Sequence, residues 1–505
     1  MSMSRENGLP VSDDIIDRIL LFSPTFSSLK AAILICKQFH RVFQSHPNSV
    51  VRAVAYNITG PALPQALACI RHPDVQTHDR EFPPRVSWSD ADEDSDDEST
   101  ISNHKEVRNT PRRQADVQTH TEELGDLSSA PITPSETHQI IANSKIVARL
   151  EDMFSFRYID RTASTSQLSP SDSRAFHVAV YHLMLYSAVT HLDSWVIDLT
   201  DDNANAEEHR KQLEKGKKSF SPLSTSELLQ LYSVAEFLKE ILSWCVRTSG
   251  YPSEICDLVL VVGPERILEC FDNQEIGSLE PLEDLLDFLE EELELIAGLS
   301  YSSSPHTQIL ESRNIEIPSD SNRWLSISSR VSERNSQCDS CRKSFGFGAH
   351  SRSTFVEISH GECLRLHTTS LRSYEPQHIH RYLLNNLRYN NLETESLCKE
   401  AKKFGPSLLL QIWNDLWNLN IAQQPSQNVG QPSIPPSSDW TEDSYLCETC
   451  FTSFLRENLW VWWRHIKASS ETLKENCWYG YNCRTQTHSI AHASKLNHLC
   501  EQTRF

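Results

Sequence analysis

The cysteines of this chain are concentrated in its last third, at spacings typical of metal ligands. Nine of the 14 cysteines lie between positions 324 and 505, and four of them form two Cys-x2-Cys pairs, Cys338 with Cys341 and Cys447 with Cys450. The tight turn within such a pair lets both sulfurs reach one zinc ion. The two pairs therefore predict one closed tetrahedral zinc site with four thiolate ligands.

The 105 residues between the two pairs leave alternatives open. In the first alternative, the four thiols are buried and reduced and bind no metal. In the second, each pair belongs to a separate site. The residues able to complete such separate sites are Cys363, His350 and His360. A predicted helical insert at 375–419, broken at Gly405-Pro406, and a Pro/Gln/Ser-rich loop at 423–438 account for the long separation. Distance in sequence does not prevent convergence in space.

A denser group of candidate ligands lies at the C-terminal end. Six of these residues fall within 24 positions, and they are Cys477, Cys483, His488, His492, His498 and Cys500. One tetrahedral ion uses four ligands. The segment therefore predicts at least one further zinc ion, and we expect two ions in the whole chain.

The pattern Cys477-x-Tyr479-Gly480-Tyr481-x-Cys483, followed by Arg484 and by two histidines six positions apart, resembles the poly(ADP-ribose)-binding zinc finger. The resemblance implies the zinc ligands, which are Cys477, Cys483, His492 and His498. It also implies that Tyr479, Tyr481 and Arg484 grip an adenine ring and its phosphates. The alternative is a finger that only stabilises the fold.

The charge of the chain disfavours some functions and permits the binding of an anion by the finger. The 505 residues carry 47 basic and 68 acidic side chains, a formal net charge of -21, which disfavours general coating of nucleic acid or of anionic membranes. The segment 456–505 carries seven basic residues against four acidic ones, as an anion site requires. We expect neither a signal peptide nor a membrane span. Thiolate chemistry favours a reducing compartment, the nucleus or the cytoplasm.

Composition divides the chain into four regions. Periodic apolar residues predict a helical hairpin domain at 8–71 and a helical domain at 137–300, and a disordered acidic linker at 80–134 separates them. The last region, 324–505, is a Cys/His-rich zinc-binding domain that ends in the finger at 477–500. We expect a mainly α fold with a zinc-binding α+β module at its C-terminal end.

The N-terminal region carries a second resemblance. Leu9-Pro10 precede two short apolar helical faces, formed by Ile15, Ile16, Ile19, Leu20, Leu29, Ile33, Cys36 and Phe39. This pattern resembles a degenerate F-box, a family that docks onto the cullin-linked adaptor of a ubiquitin ligase. The resemblance implies that Leu9, Pro10 and the two apolar faces bind that adaptor. The alternative is that the hairpin packs against the rest of the chain.

A short apolar and acidic run lies in the helical region. Val196, Ile197, Asp198 and Leu199 precede further acids and resemble a SUMO-interacting motif, which adds a strand to the edge of a sheet. The alternative is that the run is the end of a core element.

These features predict a substrate receptor of a cullin-type ubiquitin ligase, which holds the adaptor at its N-terminal hairpin and an unidentified protein substrate elsewhere. The alternative is a zinc-dependent binder of poly(ADP-ribose) or nucleic acid. No G-x-S-x-G, Walker A or Rossmann motif occurs in the sequence, so we expect no enzymatic activity of its own.

Overall fold

A computed structural model describes most of the chain. The described residues are 11–72, 130–190, 211–272, 282, 304–332, 337–355, 374–419 and 441–504, with gaps at 162, 164, 212, 250–252, 320–321, 344–348 and 353. The chain divides into two compact units, Met1–Ser144 and Lys145–Phe505. Both are built of helices, which confirms the mainly α prediction. None of the described helices is long and apolar enough to span a membrane.

Several predicted features lie outside the described residues. They are Leu9-Pro10, most of the acidic linker, the loop at 423–438 and the SUMO-like run Val196, Ile197, Asp198 and Leu199. The adaptor contact of the first pair and the SUMO contact of the last run stay predictions.

The first unit begins with short helices packed around two apolar clusters. They are α1 (Asp13–Leu21), α2 (Phe26–Ile35), α3 (Lys37–Ser45), α4 (Pro47–Thr59) and α5 (Leu63–Arg71). The Thr25 side chain accepts a hydrogen bond from the Ser28 amide at 3.0 Å and so caps α2. Pro47 begins α4, a position where its missing amide donor costs nothing.

The sequence pattern predicted one apolar helical face from Leu29 to Phe43, and the structure breaks this helix at Cys36. Cys36 has an extended backbone, with φ -160° and ψ 167°, and it ends α2 and precedes α3. The break lets the Gln38 side chain donate to the Val11 carbonyl oxygen at 3.0 Å. The apolar period runs through the break because both helices turn their apolar sides toward the same core.

The middle of the chain is a set of longer helices. They are α6 (Pro134–Tyr158), which contains the boundary between the units, α7 (Pro170–Thr190), α8 (Thr225–Ser249), α9 (Val259–Asp272) and α10 (Pro305–Ser312). The Phe154 ring lies 5.2 Å from Phe176 and 5.4 Å from Phe237 in their core. Ser224 and Glu227 form a capping box at the start of α8, with amide contacts of 2.8 and 3.3 Å.

The C-terminal part surrounds a tryptophan-rich core. Its helices are α11 (Asn391–Ala401), α12 (Leu408–Asn418), α13 (Glu448–Ser470) and α14 (Ile490–Lys495), with short 3-10 helices at Ile379–Tyr382, Asn385–Tyr389, Gly480–Asn482 and Thr485–Thr487. Trp413 and Trp462 are fully buried in this core. Among the described residues, the expected β component is limited to two isolated bridges, His350 with Leu446 and Asn476 with Asn497.

Candidate metal centres

Four thiols of the second unit converge on one point. The sulfurs of Cys338, Cys341, Cys447 and Cys450 all lie within 4.8 Å of one another, and those of Cys341 and Cys447 are 3.7 Å apart. A tetrahedral zinc ion with Zn–S bonds of about 2.3 Å places its sulfurs about 3.8 Å apart. The group can therefore hold one zinc ion.

One Cys-x2-Cys pair lies at the start of a helix, which favours thiolates, and the other lies in a tight turn. Cys447 directly precedes α13 and Cys450 lies in its first turn, where the positive end of the helix dipole stabilises negative charge. Cys338 and Cys341 lie in a tight turn, closed by a hydrogen bond from the Arg342 amide to the Cys338 carbonyl at 2.9 Å. The two local structures fix two sulfurs each.

Hydrogen bonds within this group already favour one thiolate. Contacts with the thiols of Cys447 and Cys450 hold the pKa of Cys338 far below its ordinary value. The contact with Cys338 raises the pKa of Cys447, because the proton on Cys447 is shared with the neighbouring sulfur. Zinc binds thiolates, so a bound ion replaces these shared protons.

His350, one of the alternative ligands, lies beside the group and is not part of it. Its Nε2 is 2.7 Å from the Glu448 carboxylate, and its ring stacks on Phe451 at 4.4 Å. Glu448 also accepts a hydrogen bond from the Tyr374 hydroxyl at 2.7 Å. These contacts fix the start of α13 next to the thiols. The other two alternatives, Cys363 and His360, lie outside the described residues.

An ion pair attaches this centre to the middle helices. Asp339 lies between two of the ligands, and both of its carboxylate oxygens accept hydrogen bonds from Arg161 Nη2 at 2.8 Å. The Arg161 guanidinium also lies over the Tyr445 ring at 4.5 Å. Each partner of the pair is only 16% exposed. The pair spans 178 positions of sequence, and no motif indicates it.

The finger at the C-terminal end forms a second group of four ligands. The ligand atoms of Cys477, Cys483, His492 and His498 lie within 4.8 Å of one another. His492 Nε2 is 3.3 Å from the Cys483 sulfur and 3.8 Å from the Cys477 sulfur. A tetrahedral zinc ion, with bonds of about 2.3 Å to sulfur and 2.0 Å to nitrogen, places these atoms about 3.5 Å apart. The two groups can hold two metal ions, consistent with the expected zinc.

His498 gives an independent indication of a metal. Its side chain is completely buried, and neither ring nitrogen has a hydrogen-bond partner among the described residues. Such buried polar atoms cost free energy unless something binds them. Burial, together with the charge of His492, lowers the pKa of His498 to about 4. The imidazole is therefore neutral at pH 7, as a metal ligand must be.

The two remaining candidates, His488 and Cys500, lie outside this group. His488 is exposed, and the Cys500 thiol donates to the Cys477 carbonyl at 3.4 Å. Cys500 instead closes the finger through its backbone, whose oxygen accepts from the Tyr481 amide at 3.1 Å. Gly480 makes this approach possible, since it has φ 43° and a Cβ there would clash with the Cys500 carbonyl.

A cavity of about 720 Å³ adjoins the finger. The finger residues that line it are Tyr479, Asn482, Cys483, Arg484, Thr485 and Gln502. The rest of the lining comes from the 3-10 helix Asn385–Tyr389. No motif in the sequence indicated this contribution, and that helix lies far from the finger along the chain. The volume falls within the roughly 300–1,000 Å³ of ordinary small-molecule sites.

The three residues implied to bind an anion take different positions. Tyr479, 48% exposed, and Arg484 line the cavity. Tyr481 is buried, and its ring lies 5.3 Å from Trp460 of α13. The structure therefore corrects the role implied for Tyr481, since a ring that packs the finger against α13 is unavailable to stack on a base.

The residues predicted to bind an adaptor also divide by exposure. Four of them are buried in the core of the hairpin itself, and these are Ile16, Leu20, Leu29 and Phe39. Ile33 and Cys36 are partly buried against the same core. Ile15 and Ile19 are exposed at 52% and 46%. Among the described members, Ile15 and Ile19 are the ones most available to a partner while the hairpin stays folded.

Further exposed apolar side chains lie at the ends of α1 and α2. They are Phe22, which directly follows α1, and Leu34 and Ile35, the last two residues of α2, and all three are more than 60% exposed. The sequence pattern did not separate exposed from buried apolar residues, because apolar side chains occupy more than one face of α1 and α2.

Comparison with known proteins finds partial similarity to ubiquitin ligases. The chain is 42% identical to E3 ubiquitin-protein ligase CHFR of Homo sapiens over 69 residues, 13% of this chain and 10% of that protein. The identity is also 42% to the protein of the same name in Xenopus tropicalis over 129 residues, 24% of this chain and 18% of that protein. The chain thus covers less than a fifth of these relatives. No family model matches it, and no solved structure does.

These relatives overturn one expectation from the sequence. We expected no enzymatic activity because hydrolase, kinase and dinucleotide motifs are absent. The similar proteins are named as ligases, which are enzymes, so that expectation is wrong. The absent motifs belong to other chemistries, and ubiquitin transfer requires none of them. The similarity is to proteins named as ubiquitin ligases over a small part of their length, and it does not show the F-box-like hairpin.

Proposed function

We propose that this chain is a ubiquitin-ligase subunit that binds poly(ADP-ribose) through its C-terminal finger and so selects modified target proteins. The observation that carries this proposal is the Cys2His2 group, with Tyr479 and Arg484 on the wall of the adjoining cavity. The partial similarity to named E3 ligases supports the ligase part.

The lining of the cavity suits a nucleotide polyanion. Arg484 provides a planar guanidinium, which binds phosphate oxygens two at a time. The exposed ring of Tyr479 offers a surface for stacking an adenine. No aspartate or glutamate is among the described residues that line the cavity, so nothing in this lining repels phosphate.

The N-terminal hairpin supplies the second contact of the proposal. Ile15, Ile19 and Phe22 follow one another at steps of four and three, which places them on one side of α1. All three side chains are exposed. Following the F-box resemblance, we assign this surface to the cullin-linked adaptor, whose docking removes the apolar side chains from water.

The test is ubiquitylation of one target protein with and without attached poly(ADP-ribose), in a mixture of the full chain, the adaptor, the cullin and the ubiquitin-charging enzymes. We expect modification of the poly(ADP-ribosyl)ated target alone. Ile19→Asp combined with Phe22→Asp abolishes the reaction, because charge in an apolar interface loses both burial and solvation. Leu325→Asp, at an apolar residue of the second unit that is 51% exposed and lies outside the finger, is the matched control.

Three outcomes would contradict the proposal. Equal ubiquitylation of both forms of the target would show that poly(ADP-ribose) does not select the target. Adaptor binding that is unchanged by the double substitution would show that this surface of the hairpin does not bind the adaptor. If poly(ADP-ribose) binds and no ubiquitylation occurs with any adaptor tested, the alternative of a zinc-dependent polyanion binder replaces the proposed ligase subunit.

A further inference from the structure

The cavity beside the finger has a second basic wall that the finger does not provide. Asn385, Asn386 and Arg388 of the 3-10 helix Asn385–Tyr389 line it together with the finger residues. Two arginines, Arg388 and Arg484, therefore reach the same cavity from segments almost one hundred residues apart. Guanidinium groups stay charged at every physiological pH.

Hydrogen bonds hold the two walls together. The side-chain amide of Asn385 donates to Asn482 Oδ1 at 2.6 Å, and that of Asn386 donates to the Asn482 carbonyl oxygen at 2.7 Å. A buried contact of 3.0 Å from Asn390 to Gln486 continues this junction. The backbone that carries Arg388 is thus fixed to the finger before any ligand arrives, which reduces the entropy lost on binding.

We propose that the 3-10 helix Asn385–Tyr389 completes the binding site. Arg388 is then a second phosphate-binding residue, in addition to Arg484 of the finger. This inference rests on the proposed function and adds a segment and a residue to its binding site. Two arginines among the lining residues provide two guanidinium groups, and each group can bind one phosphate through paired hydrogen bonds. The site therefore recognises a pyrophosphate-linked nucleotide, an ADP-ribose unit, in preference to a nucleoside monophosphate.

The experiment is calorimetric titration of the full metal-loaded chain with ADP-ribose and with AMP. We expect ADP-ribose to bind at least tenfold more tightly than AMP. Arg388→Gln should lower the affinity for ADP-ribose about tenfold and leave that for AMP within twofold, because only the first ligand carries the second phosphate. Arg381→Gln is the matched control, since Arg381 is an exposed arginine of the preceding 3-10 helix and does not line the cavity.

The variants separate failure of this inference from failure of the proposed function. Unchanged ADP-ribose affinity in Arg388→Gln, or equal losses for both ligands, would overturn the role of Arg388 while binding by the finger stands. If the unmodified chain binds neither ligand, or Tyr479→Ala and Arg484→Gln change neither affinity, the proposed function itself fails. Metal content is measured for each variant, and an unchanged content shows that the finger remains folded.

Discussion

The ion pair between Arg161 and Asp339 predicts a measurable coupling between the four-cysteine centre and the middle helices. Arg161→Ala removes the hydrogen bonds at 2.8 Å to both carboxylate oxygens and the contact with the Tyr445 ring. It leaves a carboxylate that is only 16% exposed with the more distant Arg342, at 3.8 Å, as its remaining counter-charge. Loss of a hydrogen-bonded charge partner at such a site costs about 2 kcal/mol.

Hydrogen exchange of a single amide measures this loss of stability at the four-cysteine centre. The Tyr445 amide donates to Asp339 Oδ2 at 2.8 Å, so its exchange reports opening of the centre. About 2 kcal/mol corresponds to a roughly 30-fold faster exchange of this amide. Global unfolding is less informative, because a chain with two compact units need not unfold in one step.

Arg342 offers a matched control for the same carboxylate. It lies 3.8 Å from Asp339 and is 48% exposed, and exposed pairs of this kind contribute roughly 0–1 kcal/mol. Arg342→Ala should therefore change the Tyr445 exchange rate by no more than about threefold. Equal effects of the two substitutions, or an Arg161→Ala effect below threefold, would refute the reasoning.

Three further predictions concern the metal groups. Cys338→Ser and Cys447→Ser should each release about one metal equivalent, with no additional loss in the double variant, as measured by elemental analysis; additive losses would show two separate sites. Gly480→Ala should speed zinc release from the finger to a chelator, whereas Gly405→Ala, also at positive φ but with nothing within 4 Å of the added Cβ, should leave that release unchanged; equal release rates would contradict the steric argument. The pKa of His498 is lowered from 6.5 to about 4, so the unfolded chain takes up this proton first as the pH falls, and the finger should lose stability between pH 6.5 and 4; protease resistance of the finger that stays constant across this window would exclude the effect.

The spacing of cysteines and histidines indicated the two candidate metal groups from the sequence, and the resemblance to the poly(ADP-ribose)-binding finger selected Cys477, Cys483, His492 and His498. The capping box at Ser224 was also accessible, since a serine followed three positions later by a glutamate marks the start of a helix. The helix break at Cys36 was not, since the apolar period continues through it on both sides.

Long-range contacts could not be inferred in the same way. Which isoleucine of α1 faces the core, Ile16 rather than Ile15, depends on how α1, α3 and α4 pack together. The pairing of Arg161 with Asp339 and the place of Arg388 beside the finger join segments that no local pattern connects. Their identification needed the positions of the side chains.

The central claim is that a metal-dependent finger binds poly(ADP-ribose), and equilibrium binding of the polymer to the full chain tests it most directly. We predict saturable binding by the metal-loaded chain that weakens steadily as salt increases, since cations compete with arginine for phosphate. Chelation of the metal should abolish this binding, because Tyr479 lies between the ligands Cys477 and Cys483 and Arg484 directly follows Cys483, so loss of the metal releases the segment that carries both. No binding at low salt, or equal binding before and after chelation, would contradict the account.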